Sequence, residues 1–479
     1  MVGLINRERE TAKIQELWEK DGPALGLIYG RRRLGKSYFL QNFLKGKRGV
    51  YFLAASSTSL ENLSELLDQV RLSFPGRQDA TLENYNSWRT GLRLLCELAR
   101  GEPLLVVLDE FGYLTDADSS IPSILQAIWD RDAQDTKLRL ILCGSELSTL
   151  SSLDDYGAPL HGRFDWVEHF RPLDYYDAGR FMAAAALPKG GYSDREKLVA
   201  YGIYGGSGRY LAALNPRKPI ADNVARQMLD PSGIFHREGE ILIRQEREIR
   251  EDATFNAILA AIAGGATVHD KIASQAHVPS KSITTYIARL QQLGWIEQET
   301  PFGEAARRSI YRLSDNMLSA WYRWVFRFRS ALQITPPEQS WREFVEPDIS
   351  DYMGRFVFEK VAHQHIRRFY ARYNLPIPLD MGRWWSRKGD VEIDLVAKLK
   401  DYSYLFGSCK WASSPVKLGE LADLQAKVRA VPHDEWKLKP RYAMFSSGSF
   451  DASLEAVAKE EGVLLIGAKE LYVPTGAIP

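Results

Sequence analysis

An octapeptide near the start of the chain has the residue types and spacing that bind phosphate. The pattern GxxxxGK[ST] is matched by Gly30-Arg31-Arg32-Arg33-Leu34-Gly35-Lys36-Ser37. The glycines let backbone N–H groups turn towards a β-phosphate, Lys36 reaches the β- and γ-phosphate oxygens, and the Ser37 hydroxyl offers one ligand to Mg²⁺. The apolar run before the loop predicts a strand, and the run from Tyr38 to Leu44 predicts a helix whose N-terminus favours anions. We therefore expect the residues from Gly30 to Tyr38 to bind ATP together with Mg²⁺.

A second segment supplies the carboxylates that hydrolysis of ATP requires. The run from Leu104 to Leu108 is continuously apolar and is followed by Asp109 and Glu110. Such a run predicts a parallel strand covered on both faces, and α/β folds bind their ligands at the carboxyl ends of these strands. We expect Asp109 to hold Mg²⁺, directly or through water, and Glu110 to polarise the attacking water.

Two further polar residues are candidates for catalysis. Ser145 closes a third apolar run, Leu138 to Gly144, and is placed to sense the γ-phosphate. Arg163 precedes another apolar stretch and is a candidate arginine finger that reaches across a subunit or domain boundary. Each has a simpler interpretation, because a serine after a strand is often a turn residue and an arginine is often a salt-bridged surface residue. The sequence leaves both interpretations open.

These residues together resemble the archaeal-type AAA ATPases of the P-loop superfamily, whose members often carry a C-terminal DUF234 domain. The resemblance covers nearly the whole chain, and its motifs are Asn6-Arg7-Glu8, Tyr29 to Ser37, Leu108 to Phe111, Leu142 to Ser145, Pro159 to Arg163 and Tyr204-Gly205-Gly206. It implies that Asn6 and Arg7 lie near the adenine and that the Gly-Gly segment belongs to a helical lid. The family usually has a proline where this chain has Gly208, which implies a looser lid turn, with Arg209 as a second sensor candidate.

Length and composition fit a protein of several domains. The chain has 479 residues, 45% of them hydrophobic, and single cores seldom exceed about 250 to 300 residues. Its three cysteines form no CxxC or Cys/His cluster, which argues against a disulfide framework or a zinc site. The sequence shows neither a signal peptide nor an apolar run of the roughly 20 residues that a membrane span needs. We expect a cytoplasmic protein that is not embedded in a membrane.

The predicted fold class is α/β, with a P-loop NTPase sheet of the AAA+/ASCE type followed by three smaller domains. We expect a P-loop ATPase core over residues 1–172, a helical lid over 173–235, a winged helix-turn-helix over 236–328 and a restriction-endonuclease-like α/β domain over 345–479. The segment Ser330 to Glu346, which contains two adjacent prolines, is interpreted as the connector before the last domain.

The winged helix-turn-helix is predicted from two short helical patterns and a turn. Asp270 to Ala276 forms the first helix, Val278-Pro279 the turn, and Ser280 the N-cap of a second helix that ends near Leu293. The wing runs from Pro301-Phe302-Gly303 to Arg312. The candidate DNA contacts are Lys281, Thr284, Thr285, Arg289, Arg307 and Arg308, with Arg312 adding basic charge.

A formal net charge of +1 excludes a globally basic surface, so any DNA contact has to come from such a local patch. Winged helices also serve as packing modules that bind protein partners. Both interpretations stay open.

The last region resembles the PD-(D/E)XK nuclease core, through Phe358-Glu359, Arg383-Trp384-Trp385, Val391 to Val396 and Tyr404 to Trp411. The resemblance implies that Glu359 and Asp394 bind Mg²⁺ and that Lys410 orients the attacking water. Ser408 stands where the family has an acid, and a hydroxyl is a weaker metal ligand than a carboxylate. Glu392, on the same strand face as Asp394, is a candidate replacement. The sequence leaves open an active nuclease and a degenerate domain kept for binding or assembly.

Three hypotheses about function follow. The leading one is an ATP-hydrolysing switch that couples its nucleotide state to DNA binding through the winged helix and the nuclease-like domain. The alternatives are a signalling or assembly ATPase that binds only protein partners, and an ATP-dependent DNA nuclease. A homo-oligomer is compatible with all three.

Overall fold

The computed structural model describes residues 5–145, 150, 152–185, 191–246, 252–303 and 309–473. The chain divides into two compact units. The ATPase unit contains the residues up to Pro172 together with Ser207–Arg209, and the C-terminal unit contains Leu173–Gly206 and the residues from Tyr210 onwards. No helix in the described part of the chain has the length and apolar character needed to span a bilayer.

The ATPase unit is built on a five-stranded sheet in the order β2-β3-β4-β1-β5, and every neighbouring pair is parallel. The strands are β1 Ala24–Tyr29, β2 Gly49–Leu53, β3 Leu104–Asp109, β4 Leu138–Gly144 and β5 Trp166–His169. The helices are Glu8–Glu19, Lys36–Leu44, Ser59–Ser73, Trp88–Leu98, Phe111–Ala117 and Ile121–Arg131, with a 3₁₀ turn at Ser152–Asp154. The predicted parallel sheet of a P-loop NTPase is confirmed.

The strand order explains how distant motifs meet. β4 lies between β1 and β3, and every residue of β3 and β4 is buried, as continuous apolar runs in a two-sided sheet require. The carboxyl ends of these three strands therefore lie side by side. They bring together the loop that follows Tyr29, the acids Asp109 and Glu110, and Ser145.

The C-terminal unit begins with helices. They are Tyr175–Ala185, Asp194–Tyr204, Ile220–Val224, Glu238–Gln245, Asp252–Ala263, His269–Ala276, Ser280–Gln292, Asn316–Ala320 and Arg327–Leu332, with π-helical turns at Ala225–Leu229 and Trp321–Phe326. The short helix Gly208–Ala212 spans the point where the chain passes from the ATPase unit into this unit.

Two of these helices and a hairpin occupy the segment expected to be a winged helix-turn-helix. His269–Ala276 and Ser280–Gln292 are joined by a turn in which His277 has a φ of 54°. The strands β6 Ile296–Glu299 and β7 Ile310–Leu313 pair antiparallel after them. Ser280 is not the N-cap that the sequence predicts, because the extended residue at the start of the helix is Pro279 and Ser280 is already helical.

The expected connector contains a helix. Pro337–Ser340 continues into a π-helical turn at Trp341–Val345. Proline is tolerated in the first turn of a helix, where no N–H partner is lost, so the prolines start this helix and do not break it. Phe344 stacks on Phe328 with ring centroids 4.4 Å apart, which fixes the segment to the preceding helix.

A second five-stranded sheet completes the C-terminal unit, in the order β12-β11-β10-β9-β8. Its strands are β8 Pro378–Trp385, β9 Glu392–Leu399, β10 Tyr404–Lys410, β11 Pro440–Ser446 and β12 Leu464–Ile466, antiparallel from β8 to β10 and parallel from β10 to β12. Its helices are Ile349–Tyr352, Glu359–Phe369, Leu418–Ala430, Ala452–Glu461 and Ala468–Leu471, with a π-helical turn at Met353–Phe358 and 3₁₀ turns at Tyr370–Tyr373 and Asp434–Lys437.

Candidate nucleotide site and carboxylate cluster

The phosphate loop is folded around the ammonium group of Lys36. Gly35 has a φ of 92°, a conformation that L side chains rarely adopt, and its carbonyl accepts from Phe39 N at 2.9 Å as the helix begins. Lys36 Nζ is buried and donates to the carbonyl oxygens of Gly30 at 2.6 Å and Arg31 at 3.0 Å. Burial lowers the pKa of Lys36. Because these carbonyls are weak partners for a cation, phosphate oxygens that enter the loop would compete well for the ammonium group.

Asp109, the expected metal carboxylate, is only 1% exposed at the end of β3. Its Oδ1 accepts from Glu110 N at 2.9 Å, and its Oδ2 accepts from the hydroxyl of Tyr51 on β2. No motif in the sequence singles out Tyr51. The one available signal was a tyrosine in a strand that pairs in parallel with the acid-bearing strand, and that pairing is visible only in the folded sheet.

Glu110, the expected base, is held by two neighbours. It has a φ of 53°, and Ser145 Oγ donates to its Oε2 at 3.0 Å. Arg32 of the phosphate loop lies 3.7 Å from its Oε1, and Arg32 Nη2 is 3.4 Å from the Tyr113 hydroxyl. The structure therefore brings the expected base, the expected sensor and one loop arginine into a single group of contacts.

The residues expected near the adenine have different surroundings. Arg7 is buried and donates to Glu10 Oε1 and to the carbonyl of Arg171, both at 2.8 Å, while its guanidinium lies 3.8 Å from the centre of the Phe170 ring. Asn6, beside it, has a φ of 53°. The donors of Arg7 are directed at protein groups, and the nucleotide-binding roles of both residues stay predictions.

Two other residues predicted to bind the nucleotide differ in exposure. Leu34 is buried in the core beneath the loop, whereas the Tyr38 side chain is 43% exposed.

Arg163, the candidate arginine finger, makes a two-pronged salt bridge with Asp130, with both distances 2.8 Å. That is the surface arrangement that the simpler interpretation of Arg163 describes, and the arginine-finger role stays a prediction.

The donors around Asp109 suit Mg²⁺. This hard cation prefers oxygen ligands, and the Ser37 hydroxyl and the Asp109 carboxylate provide them beside the phosphate loop. A third oxygen, the hydroxyl of Tyr51, donates to Asp109 Oδ2. The residues present therefore fit a magnesium ion that is bound together with a nucleotide.

A second cluster of acids lies in the C-terminal unit. Carboxylate oxygens of Glu359, Glu392 and Asp394 lie within 4.8 Å of one another. The guanidinium of Arg383 lies among them, 3.0 Å from Glu359 Oε2 and in contact with Glu392. Its Nη1 also donates at 3.1 Å to Glu299 on β6.

The remaining predicted nuclease residues separate into two groups. Ser408 Oγ donates to Asp394 Oδ2 at 3.3 Å, and Cys409 N donates to the same oxygen at 2.7 Å. Lys410 Nζ instead lies 2.7 Å from Glu420 Oε2. The structure brings Glu359, Asp394 and Ser408 together, pairs Lys410 with another acid, and places an arginine where the nuclease resemblance implies a metal.

Burial raises the pKa of Glu359 to about 7, although Arg383 and Arg312 oppose this rise. The acid therefore changes its charge near neutral pH, unlike an exposed glutamate.

The expected DNA-contact residues that the structure describes lie on one helix. Lys281, Thr284 and Thr285 are exposed, and Arg289 Nη1 donates to Gln292 Oε1 at 2.6 Å. Arg307 and Arg308 fall outside the described residues.

The expectation that Arg312 adds basic charge to a DNA surface is wrong. It lies 3.2 Å from Glu299 and 3.5 Å from Glu359, and its Nη1 donates to the carbonyl of Arg355 at 2.8 Å. β7 therefore directs this arginine towards the acid cluster, where both carboxylates pair with its charge.

Comparisons with known proteins agree with the sheet and the phosphate loop. Residues 4–214 match a family described as an ATPase domain predominantly from Archaea, and residues 321–421 match DUF234, described as archaeal and bacterial proteins of unknown function. An uncharacterised protein of Methanocaldococcus jannaschii is 27% identical over 416 residues, which cover 85% of this chain and 87% of the relative. A second uncharacterised protein of that organism is 38% identical over 111 residues, which cover 22% of this chain and 92% of the relative.

Two solved structures are similar at low identity. A Walker-type ATPase of Pyrococcus abyssi has a TM-score of 0.49 at 20% identity, covering 67% of this chain and 96% of its own. The ORC2 protein of Aeropyrum pernix has a TM-score of 0.46 at 15% identity. The match covers 69% of this chain and 96% of the ORC2 chain.

Proposed function

Because the chain belongs to the family of predominantly archaeal ATPases and carries a DUF234 domain behind the ATPase domain, we propose that it is an ATP-hydrolysing switch whose nucleotide state controls DNA binding. ATP hydrolysis is the activity of the family. The coupling to DNA and the roles of single residues are the proposal.

Each side chain of the ATP site has one proposed role. Lys36 leaves the carbonyls of its own loop to bind the β- and γ-phosphate oxygens. Ser37 and Asp109 would hold Mg²⁺, which neutralises charge on the transferring phosphoryl group when it is bound. Glu110 orients the attacking water, and the Ser145 hydroxyl fixes the Glu110 carboxylate through its hydrogen bond.

The observation that carries the proposed coupling is a contact between the phosphate loop and Ser207, which lies in the middle of the expected lid segment. Ser207 Oγ donates to the carbonyl of Arg33 at 2.5 Å, and Arg33 has a φ of 73° inside the loop. Only Ser207–Arg209 of this stretch belong to the ATPase unit, and the residues on either side belong to the C-terminal unit. A rearrangement of the loop backbone on nucleotide binding would therefore act directly on the covalent connection between the two units.

The DNA-binding part of the proposal rests on the helix Ser280–Gln292. Its exposed positions include Lys281, Thr284 and Thr285, and its sequence contains no carboxylate. Basic and hydroxyl side chains are the groups that contact phosphates and base edges, and the absence of acids on the helix removes local repulsion. This helix is therefore the element that we propose to place on DNA.

The experiment that tests the proposal is retention of a labelled duplex with ATP, with ADP or without nucleotide, across a salt series. We expect retention to depend on the nucleotide and to weaken steeply with salt. Replacing Lys281 and Arg289 together by alanine should lower the salt slope by about two units, one for each lost phosphate contact.

The matched control replaces Arg429 and Lys459, two exposed cations on other helices, and removes the same charge. Its salt slope should equal that of the unmodified protein. Absence of any DNA binding at low salt would instead favour the second function, an ATPase that binds only protein partners.

We further propose that the C-terminal domain serves binding or assembly and does not cut DNA. The support is Arg383, whose guanidinium lies among the carboxylates that a nuclease would present to a metal, together with Ser408 in place of an acid. Incubation with duplex and single-stranded DNA in Mg²⁺ or Mn²⁺ should give no scission. Cutting that disappears in both Asp394→Ala and Lys410→Ala would overturn this assignment and support the ATP-dependent nuclease.

A further inference from the structure

Tyr51 contacts Asp109, one of the two residues assigned to the metal. It belongs to β2, which pairs in parallel with β3, so that Tyr51 lies opposite Val107 and Leu53 lies opposite Asp109. This register carries the phenol to the carboxyl edge of the sheet. There the hydroxyl donates to Asp109 Oδ2.

The phenol acts as a neutral donor. A phenol has an ordinary pKa of about 10, so the hydroxyl keeps its proton at physiological pH and can donate to the carboxylate. The other oxygen of Asp109 already accepts from Glu110 N at 2.9 Å. With its carboxylate buried and a donor on each oxygen, Asp109 is satisfied by the protein alone.

We propose that Tyr51 is a placeholder for the metal: its hydroxyl holds Asp109 Oδ2 when no metal is bound and moves aside when Mg²⁺ binds with the nucleotide. This inference rests on the ATP site of the proposed function and is independent of DNA binding. The consequence is that free Mg²⁺ binds weakly at this site. The ion binds tightly only when phosphate oxygens of the nucleotide supply further ligands.

The size of the effect follows from the bond that has to break. A hydrogen bond to a charged group is stronger than one between neutral groups, and Tyr51 is only partly buried, so water replaces part of what is lost. Removing the hydroxyl should therefore tighten Mg²⁺ binding by about tenfold, which corresponds to about 1.4 kcal/mol.

The test is the variant Tyr51→Phe, which deletes the hydroxyl and keeps the ring. Mg²⁺ is titrated into the protein with a fluorescent ADP analogue, and the affinity for that analogue is measured separately in EDTA. We expect the half-saturating Mg²⁺ concentration to fall about tenfold, with the affinity in EDTA equal to that of the unmodified protein. An equal or higher half-saturating concentration overturns the proposal.

The matched control is Tyr85→Phe. Tyr85 is also partly buried in the ATPase unit, and its hydroxyl lies 3.3 Å from the carboxylate of Asp79. This variant should titrate like the unmodified protein. If the unmodified protein binds the analogue neither with Mg²⁺ nor in EDTA, the ATP site itself is refuted, which separates that failure from failure of the placeholder.

A second measurement leaves the hydroxyl in place. With 3-fluorotyrosine introduced at position 51 alone, the ¹⁹F resonance should keep its position when ADP is added in EDTA and should shift when Mg²⁺ follows. A shift with ADP alone would show that phosphate moves the ring, and no shift with Mg²⁺ would show that the ring stays. Either result overturns the proposal.

Discussion

Replacing Arg383 by methionine tests whether the arginine stabilises the C-terminal unit. Its side chain is 8% exposed and contacts Glu359, which is 13% exposed, and Glu299, which is 24% exposed. Its third partner, Glu392, is 44% exposed, so solvent screens that pair and it contributes little. Methionine fills similar volume and leaves the buried acids with fewer cations.

The expected magnitude follows from what remains in place. Removing one partner of a buried pair costs about 3–5 kcal/mol. Arg312 still lies 3.2 Å from Glu299 and 3.5 Å from Glu359, so each acid keeps one cation and the lower end of that range applies. We expect a loss of about 3 kcal/mol in the free energy of unfolding, and a lower melting temperature by about 2–4 °C for each kcal/mol.

The loss should depend on pH because the pKa of Glu359 is raised to about 7 in the folded protein. Between its unfolded pKa and about 7 the folded state binds more protons at this acid, so its contribution to stability falls as pH rises through that window. Without Arg383 the pKa rises further, and the charged form is opposed more strongly. The variant should therefore lose more stability at pH 8 than at pH 5.5, where Glu359 is largely protonated.

The assay is thermal unfolding followed by circular dichroism at both pH values. Arg387→Met is the control, because Arg387 is exposed in the turn after the same strand. Equal melting temperatures for the two variants at pH 8 would refute the reasoning. It would show that the acids around Arg383 do not carry the charges assigned to them.

Three further predictions concern the ATPase unit. Lys36→Ala should weaken nucleotide binding in a filter assay by at least about 100-fold, because the loop no longer has the buried cation that binds the phosphates. Retained affinity would contradict the phosphate-binding role of Lys36. Glu110→Gln should bind ATP normally but lower the steady-state turnover number by about 10²- to 10⁴-fold, and turnover at the original rate would exclude Glu110 as the base. Ser207→Ala should hydrolyse ATP while the difference in DNA retention between ATP and ADP disappears, whereas a preserved difference would place the coupling elsewhere.

Local motifs predicted which residues meet at the carboxyl edge of the first sheet, for a physical reason. The loop from Gly30 to Ser37 and the acids after Leu108 follow apolar strands, and parallel strands align their carboxyl ends whatever their separation in sequence. The predicted P-loop sheet is therefore confirmed, and Ser145 lies beside Glu110 at the same edge.

Contacts that depend on register or on long-range burial could not be predicted in this way. Tyr51 reaches Asp109 only because β2 pairs with β3 in one particular alignment. Arg383 reaches the acid cluster from β8, whose pairing with β9 shifts between Gly382 and Trp384. No pattern of neighbouring residues reports such a shift, and the salt bridges of Arg312 with Glu299 and Glu359 depend on the same kind of long-range contact.

The hairpin of the helix-turn-helix segment is bound to the last domain through both of its strands and the start of its loop. Phe302 N donates to the carbonyl of Arg383 at 2.7 Å and its ring lies 5.3 Å from Trp436, while Glu299 and Arg312 join the buried salt bridges. The helix-turn-helix segment and the last domain look like separate modules in the sequence, but their contacts make them one packed unit. Exchange of the last domain between relatives should preserve folding only if the hairpin is exchanged with it, and substitutions at positions 299, 312 and 383 should accumulate together during divergence.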